Sequence, residues 1–279
     1  MVGRSGILGF ALIMAVSATA RGEETLRFGT YREYPPLTIP NADGTLRGFE
    51  IDIIGELCRR LAVQHTVAAV TWERVFDDLD AGRYDVYLGG MAATEVRARR
   101  VDFSHPYMVT TARFTTRADS PLTQVPLLNR INLDDMTPEA TVSLESLMEA
   151  LRGYRVGVHV DTIHEAFLHA HLTQETDLHR YTVEDKQYED ILAGRLDAVL
   201  ASSSTAYYFI SNHQTATAPL VFFGPVLSGR IFGSGVAAAV RHGNRALLDR
   251  LNGALDAAKA DGTLAKLSFT WFGFNVAAP

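Results

Sequence analysis

The sequence predicts an α/β fold built from two similar units. Short apolar segments typical of strands alternate with segments whose apolar residues recur at helical spacing. This alternation begins near Leu26, starts again at Arg155, and is interrupted by a polar stretch over residues 118–152. Strands that alternate with helices through short links favour helices layered on a parallel sheet. Two such units also predict a cleft between them, where small-molecule sites concentrate.

The elements of each unit follow from their local patterns. In the first unit we expect strands at 26–30, 67–70 and 85–88, a loop at 31–40, a turn at 43–44, and helices at 49–61 and from Trp72. In the second we expect strands at 155–158, 178–183 and 198–201, with helices at 162–171, 185–193 and 203–210. Two further helices follow at 244–261 and 264–272. The helices are predicted from apolar residues three or four positions apart, such as Phe49, Ile53 and Leu57.

The composition is that of an ordinary globular protein, with 279 residues, 47% hydrophobic and 21% charged. This length allows one large domain or two moderate ones. A formal net charge of −6 without a basic run argues against nucleic-acid binding. Cys58 is the only cysteine, so the chain has no internal disulfide. Its helical spacing with Ile54, Leu57 and Leu61 predicts a small, buried apolar residue.

The first twenty residues have the pattern of an export signal. Arg4 gives a basic start, residues 7–16 are apolar, and Ala18-Thr19-Ala20 fits the small-residue cleavage pattern. We therefore predict a signal peptide at 1–20 and a mature start near Arg21. The alternative is an uncleaved anchor, but the apolar run is short for a bilayer span, and no later stretch is long and apolar enough.

The most informative local pattern follows the predicted strand at 85–88. Gly89 and Gly90 let the backbone approach a ligand closely, and Thr94 is placed to cap a helix that carries Arg97 one turn in. A glycine turn before a helix start exposes backbone N–H groups that suit an anion. A guanidinium can bind a carboxylate through two hydrogen bonds. This pattern predicts a carboxylate pocket, and the alternative is a surface arginine on a solvated helix.

Several blocks of the chain resemble the periplasmic solute-binding proteins of polar amino-acid ABC transporters, in the branch that binds lysine, arginine, ornithine, histidine and opines. The blocks occur in the family's order and span nearly all of the predicted mature chain: residues 48–53, 94–97, 101–107, 193–198, 223–225 and 260–264. The resemblance implies a two-lobed periplasmic binding protein fold of type II, with two α/β lobes joined by two crossover strands. Lobe one would hold 21–111 and 231–279, and lobe two 112–230. Residues 119–152 exceed the family's usual link and are expected to be a surface elaboration.

The resemblance also implies a set of ligand-binding residues. Arg97 matches the arginine that binds the ligand carboxylate, and Tyr34 and Trp72 match two aromatics that sandwich the ligand side chain. The alternatives are a surface role for Tyr34 and core packing for Trp72. The remaining matches are backbone groups and ligand-facing side chains at Gly90, Ala92, His159, Thr162 and His164. The histidines have no convincing metal-ligand spacing, so we expect no metal, no cofactor and no catalytic residue.

Two positions depart from the family pattern. Ser202 stands where the family's amino-binding aspartate is found, and Tyr31 replaces an aspartate that holds a distal cation. Burying an ammonium without a carboxylate would cost several kcal/mol. Either the ligand has no free α-ammonium or another acid replaces the aspartate, with Glu33, Asp161 and Glu165 nearest in sequence; Asp161 is alternatively a helix cap. We expect a modified amino acid, an opine-like secondary amine or another carboxylate, rather than a plain basic amino acid.

Three functions are compatible with these residues. The leading one is a monomeric periplasmic receptor that delivers its ligand to the membrane permease of an ABC transporter. The second is a periplasmic enzyme on the same scaffold, such as a cyclohexadienyl-type dehydratase with His164 and Glu165 as acid and base, although no paired carboxylates or nucleophile–base pair support it. The third is a soluble sensor module that uses the same site.

Overall fold

Two large β-sheets, beside a small two-stranded one, organise the computed structural model, which describes residues 24–212 and 219–278. The predicted signal peptide at 1–20 lies outside these residues. The described strands are β1 (Thr25–Tyr31), β2 (Ile39–Pro40), β3 (Leu46–Arg47), β4 (Gln64–Val70), β5 (Val86–Tyr87), β6 (Val101–Phe103), β7 (Ala112–Arg117), β8 (Arg130–Asn132), β9 (Arg155–His159), β10 (Asp177–Tyr181), β11 (Ala198–Ser202), β12 (Leu220–Ser228) and β13 (Ala239–Arg241). The described α-helices are α1 (Phe49–Leu61), α2 (Val75–Asp80), α3 (Glu95–Ala98), α4 (Pro138–Ala150), α5 (Ile163–His171), α6 (Glu184–Leu192), α7 (Ser203–Asn212), α8 (Arg245–Ala260) and α9 (Thr263–Phe272).

The sheets are mixed rather than parallel. Their strand orders are β4-β1-β5-β13-β6 and β10-β9-β11-β7-β12-β8. The predicted parallel arrangement holds for β4-β1-β5 and β10-β9-β11, but β13 and β7 are antiparallel to both of their neighbours. Both exceptions follow a passage of the chain from one sheet to the other. The antiparallel strands β7 and β13 each begin beside the last residue of a parallel strand. Ala112 of β7 pairs with Ser202 at the end of β11, and Ala239 of β13 pairs with Tyr87 at the end of β5.

Each sheet packs its apolar face against helices. In the first lobe, α1, α8 and α9 pack against one another. Buried residues of α1 recur at the spacing that predicted the helix, with Phe49, Ile53 and Leu57 in one core cluster with Leu251 and Phe272. Full burial of a side chain of this size contributes about 1.5–3 kcal/mol. A second cluster fills the other lobe.

The stretch over 118–152 corrects the expectation of a surface elaboration. It contains β8, which pairs with β12, and α4, which buries Leu144 and Leu147 in the second core. Ile131 of β8 is buried there as well. The prediction failed because the apolar residues lie on one face of α4 while exposed polar residues fill the other, so the stretch is polar on average.

Residues 104–111 and 229–238 connect the two lobes. They meet where Met108 and Val236 form an antiparallel bridge, with the Val236 N–H donating to the Met108 carbonyl at 2.8 Å. Phe232, which follows the predicted lobe boundary at residue 230, packs in the second core with 5.2 Å between its ring centroid and that of Phe167. Val236 belongs to the first core. In the described residues, no helix has both the length and the apolar character needed to cross a membrane.

Candidate functional site

One cavity between the lobes gathers all ten residues predicted to bind ligand. Residues of both lobes line it, which is a usual setting for small-molecule sites. The predicted residues that line it are Tyr31, Tyr34, Trp72, Gly90, Ala92, Arg97, His159, Thr162, His164 and Ser202. Further lining residues that the prediction did not include are Leu37, Gly89, Met108, Thr110, Ile163, Glu184, Gln187, Leu200, Ala201 and Val236.

Arg97 is held in a largely buried position by its own loop. The predicted cap forms, because Thr94 Oγ1 accepts the Arg97 backbone N–H at 3.4 Å. The guanidinium donates to the Ala92 carbonyl at 3.1 Å and lies 4.9 Å above the Trp72 ring centroid. Burial lowers the pKa of Arg97 to about 10, and among the described residues no carboxylate forms an ion pair with it. A cation in this environment favours an anionic partner.

The glycine turn supports the pocket in a way that differs from the prediction. Gly90 adopts φ +69°, yet its N–H does not face an incoming anion, since it donates to Glu50 Oε1 at 2.7 Å. The Tyr107 hydroxyl donates to the same oxygen. Because α3 has only four residues, its dipole adds little. Arg97 therefore supplies the positively charged group with which this lobe lines the cavity.

Two polar contacts cross the cleft above the cavity. The Trp72 indole N–H donates to the Asp161 carbonyl at 3.1 Å. The Tyr31 hydroxyl lies 3.5 Å from His159 Nε2. His159 Nδ1 and Nε2 each lie 3.1 Å from a backbone carbonyl oxygen, of Val160 and Thr182 respectively. Burial lowers the pKa of His159, although these carbonyls act against that shift.

The start of α5 forms the wall opposite Arg97. Thr162, rather than Asp161, caps this helix, because its Oγ1 accepts the Glu165 N–H at 3.3 Å. Asp161 is instead in the left-handed region at φ +57°. His164 is buried, and its Nε2 has no hydrogen-bond partner among the described residues. Burial, reinforced by His159 and Arg97, lowers the pKa of His164 to about 3, so the imidazole is neutral at pH 7.

The carboxylate of the cavity is Glu184, which the sequence reasoning missed. None of the three acids proposed from sequence lines the cavity. Glu165 forms an ion pair with Arg180, and Glu33 is exposed. Glu184 stands at the first position of α6 and accepts the Thr205 hydroxyl at 3.1 Å. Burial raises its pKa to about 8. One signal in the sequence pointed to Glu184: it lies three and four positions before Gln187 and Tyr188, at the spacing of one helix face. That face of α6 is buried.

The site residues do not form a metal centre. No cluster of three or more histidine, cysteine, aspartate or glutamate side chains suited to a metal ion occurs within 24–212 or 219–278. The lining side chains instead include a guanidinium, a carboxyl, two imidazoles and three aromatic rings. This set can bind a small organic molecule that carries a carboxylate.

Comparison with known proteins agrees with this geometry. The sequence profile of the bacterial extracellular solute-binding proteins, family 3, matches residues 26–274. The L-arginine-binding protein of Pseudomonas aeruginosa is 30% identical over 269 residues, which cover 95% of each chain. The octopine-binding periplasmic protein of Rhizobium meliloti is 27% identical over 285 residues, covering 95% of this chain and 96% of the relative.

A solved structure of similar architecture is that of an ancestral amino acid-binding protein described as a precursor of cyclohexadienyl dehydratase. It has a TM-score of 0.71 and 25% sequence identity, and the match covers 89% of this chain and 95% of that chain. The two-lobed α/β architecture is therefore that of periplasmic binding proteins.

Proposed function

Because the chain belongs to family 3 of the bacterial extracellular solute-binding proteins, we propose that it is the periplasmic substrate-binding component of an ABC transporter. The ligand is an amino acid or an amino-acid derivative, and the protein acts as an exported monomer that docks on a membrane permease. Arg97 binds the ligand carboxylate. The observation that carries this proposal is a largely buried guanidinium, without an acidic partner among the described residues, at the wall of the interlobe cavity.

The remaining lining residues take separate roles in this proposal. Tyr34 and Trp72 contact the ligand side chain on the first lobe. On the second lobe, the Thr162 backbone N–H helps to hold the carboxylate, and His164 faces the ligand. Tyr31 and Ser202 replace two aspartates of the basic-amino-acid binders, which makes free lysine or ornithine poor ligands. An opine, whose amine is secondary, suits these replacements, and a relative named for octopine binding supports this ligand class.

The test is a comparison of Arg97→Gln with Arg99→Gln. Arg99 lies two positions on and is exposed, so it controls for the loss of one positive charge. With L-arginine and octopine as probes, the loss of a charged two-pronged hydrogen bond of about 1.5–3 kcal/mol should weaken binding by Arg97→Gln about 10- to 150-fold. Isothermal titration calorimetry should find Arg99→Gln unchanged. Equal affinities for both variants would remove Arg97 from the site.

Delivery to a permease has its own measurement. Deletion of the gene should abolish uptake of a radiolabelled ligand by intact cells, and the Arg99→Gln protein should restore it while Arg97→Gln should not. Uptake that persists in the deletion strain while the purified protein binds that ligand would favour the sensor function.

A dehydratase remains the second candidate, for one specific reason. Glu184 is a cavity carboxyl whose pKa is raised to about 8 by burial, so it can hold a proton for transfer at neutral pH. The acid–base pair expected from the sequence is weakened, since Glu165 pairs with Arg180 away from the cavity. Incubation with a cyclohexadienyl carboxylate and detection of an aromatic product by ultraviolet absorbance would identify this activity.

A further inference from the structure

We propose that Glu184 supplies the negative charge for the ligand's amine and thereby replaces the aspartate that is missing at Ser202. The inference rests on the proposed function, and it names the ligand class as carboxylates that carry a primary or secondary amine. The alternative, an amine-free carboxylate, gives Glu184 no partner of opposite charge.

The position of Glu184 is the first argument. Its Oε1 accepts the Thr205 hydroxyl at 3.1 Å, and the same hydroxyl lies 3.2 Å from the Ser202 carbonyl oxygen. The Glu184 carboxyl therefore lies against the junction of β11 and α7, one hydroxyl away from the backbone of Ser202. The Ser202 hydroxyl itself lies 2.9 Å from that of Ser204. The carboxyl thus reaches, from a neighbouring helix, the end of β11 where the aspartate would stand.

The charges of the cavity are the second argument. Among the described residues that line it, Arg97 carries the only guanidinium and Glu184 the only carboxyl. The two belong to different lobes, and within 24–212 and 219–278 neither forms an ion pair. A ligand with a carboxylate and an ammonium would give each of them a partner of opposite charge. Desolvated charges are costly unless they are paired, so such a ligand favours closure of the two lobes upon it.

Among the described residues, the groups that act on Glu184 include no cation, and Lys186 of the same helix pairs with Glu189 instead. Helix α6 itself adds Asp185 and Tyr188, the last residue of β1 adds Tyr31, and the loop that follows adds Tyr34. From α7 the contact is Thr205, whose hydroxyl donates to the Glu184 carboxyl. Aromatic rings attract an ammonium through their faces, so Tyr34 suits the same ligand group. With burial and Asp185 both raising its pKa, Glu184 is mainly protonated at pH 7, and an arriving ammonium would displace that proton.

The experiment compares two ligands that differ only in the amine. L-arginine has the α-ammonium, and 5-guanidinopentanoate has hydrogen atoms in its place. The variants are Glu184→Gln and the matched control Glu189→Gln, which changes an exposed acid on the same helix. Calorimetric titrations in two buffers of different ionisation enthalpy measure both affinity and proton release. Thermal unfolding without ligand, together with Glu184→Asp, shows whether loss of binding follows from loss of charge or of folding.

We expect Glu184→Gln to weaken arginine binding at least tenfold and to abolish proton release, while 5-guanidinopentanoate affinity stays within twofold. Glu184→Asp should retain part of the arginine affinity, and Glu189→Gln all of it. An unchanged arginine affinity in Glu184→Gln, or an equal loss for both ligands, would overturn the inference. Failure of the proposed function is distinct, because there Arg97→Gln would leave both affinities unchanged, or the wild-type protein would bind neither of these probes nor octopine.

Discussion

Leu147→Ala should destabilise the protein strongly, although Leu147 lies in a stretch with a polar average composition. Its side chain is 0% exposed in the second core, and a methyl group added at Gly224 of β12 would lie 3.2 Å from Leu147 Cδ1. Removing three buried carbon atoms costs roughly 2.4 kcal/mol in transfer free energy, at about 0.8 kcal/mol for each. A residual cavity raises the loss to about 2.7–5 kcal/mol, as in comparable core substitutions.

Thermal unfolding followed by circular dichroism measures this loss. For a chain of this size each kcal/mol lowers Tm by about 2–4 °C, so we expect a decrease of about 5–20 °C. Val142→Ala is the matched control, because Val142 lies on the same helix but is 61% exposed, and a surface change of this kind stays within about 0.5 kcal/mol. Equal Tm values for the two variants would show that α4 is not part of the core, and the packing described here would be wrong.

Two further predictions concern buried titratable groups. Burial raises the pKa of Glu50 to about 7, above its unfolded value of about 4.3. The folded state therefore binds this proton more tightly than the unfolded state does. The resulting stabilisation of the fold is lost as pH rises from about 4.5 to 7. The Tm of the wild type should therefore fall relative to that of Glu50→Gln across this range, and parallel curves would contradict the assignment. Burial also raises the pKa of the Cys58 thiol to about 11, so 5,5′-dithiobis(2-nitrobenzoate) should label it in urea but not in the native protein. Rapid labelling of native protein would refute its burial.

The first lobe's half of the site could be predicted because its signals are local. Thr94 caps the turn that carries Arg97, and the glycines next to it mark the close approach of the backbone. The use of the Gly90 N–H could not be predicted in this way. Its partner, Glu50, comes from a helix forty residues earlier, and only the packing of α1 brings the two together.

Glu184 could not be found from the sequence for a similar reason. It begins a run in which charged residues dominate, and such a run normally indicates a solvated helix face. Its burial depends on α7 and on the loop after β1, which contribute Thr205 and Tyr34. Asp161 misled for the opposite reason: its residue type favours a cap, but its backbone is in the left-handed region and leaves that role to Thr162.

The sheet order has a consequence for the order of folding. All strands of the second sheet come from one continuous stretch, 112–228, whereas the first sheet needs β13 between β5 and β6. A chain that emerges N-terminus first can therefore complete the second lobe while the first still lacks one of its inner strands. During that interval β5 and β6 each present an unpaired edge, and such edges accept strands from other chains. Truncation before β13 should accordingly leave the second lobe folded and make the first prone to aggregation.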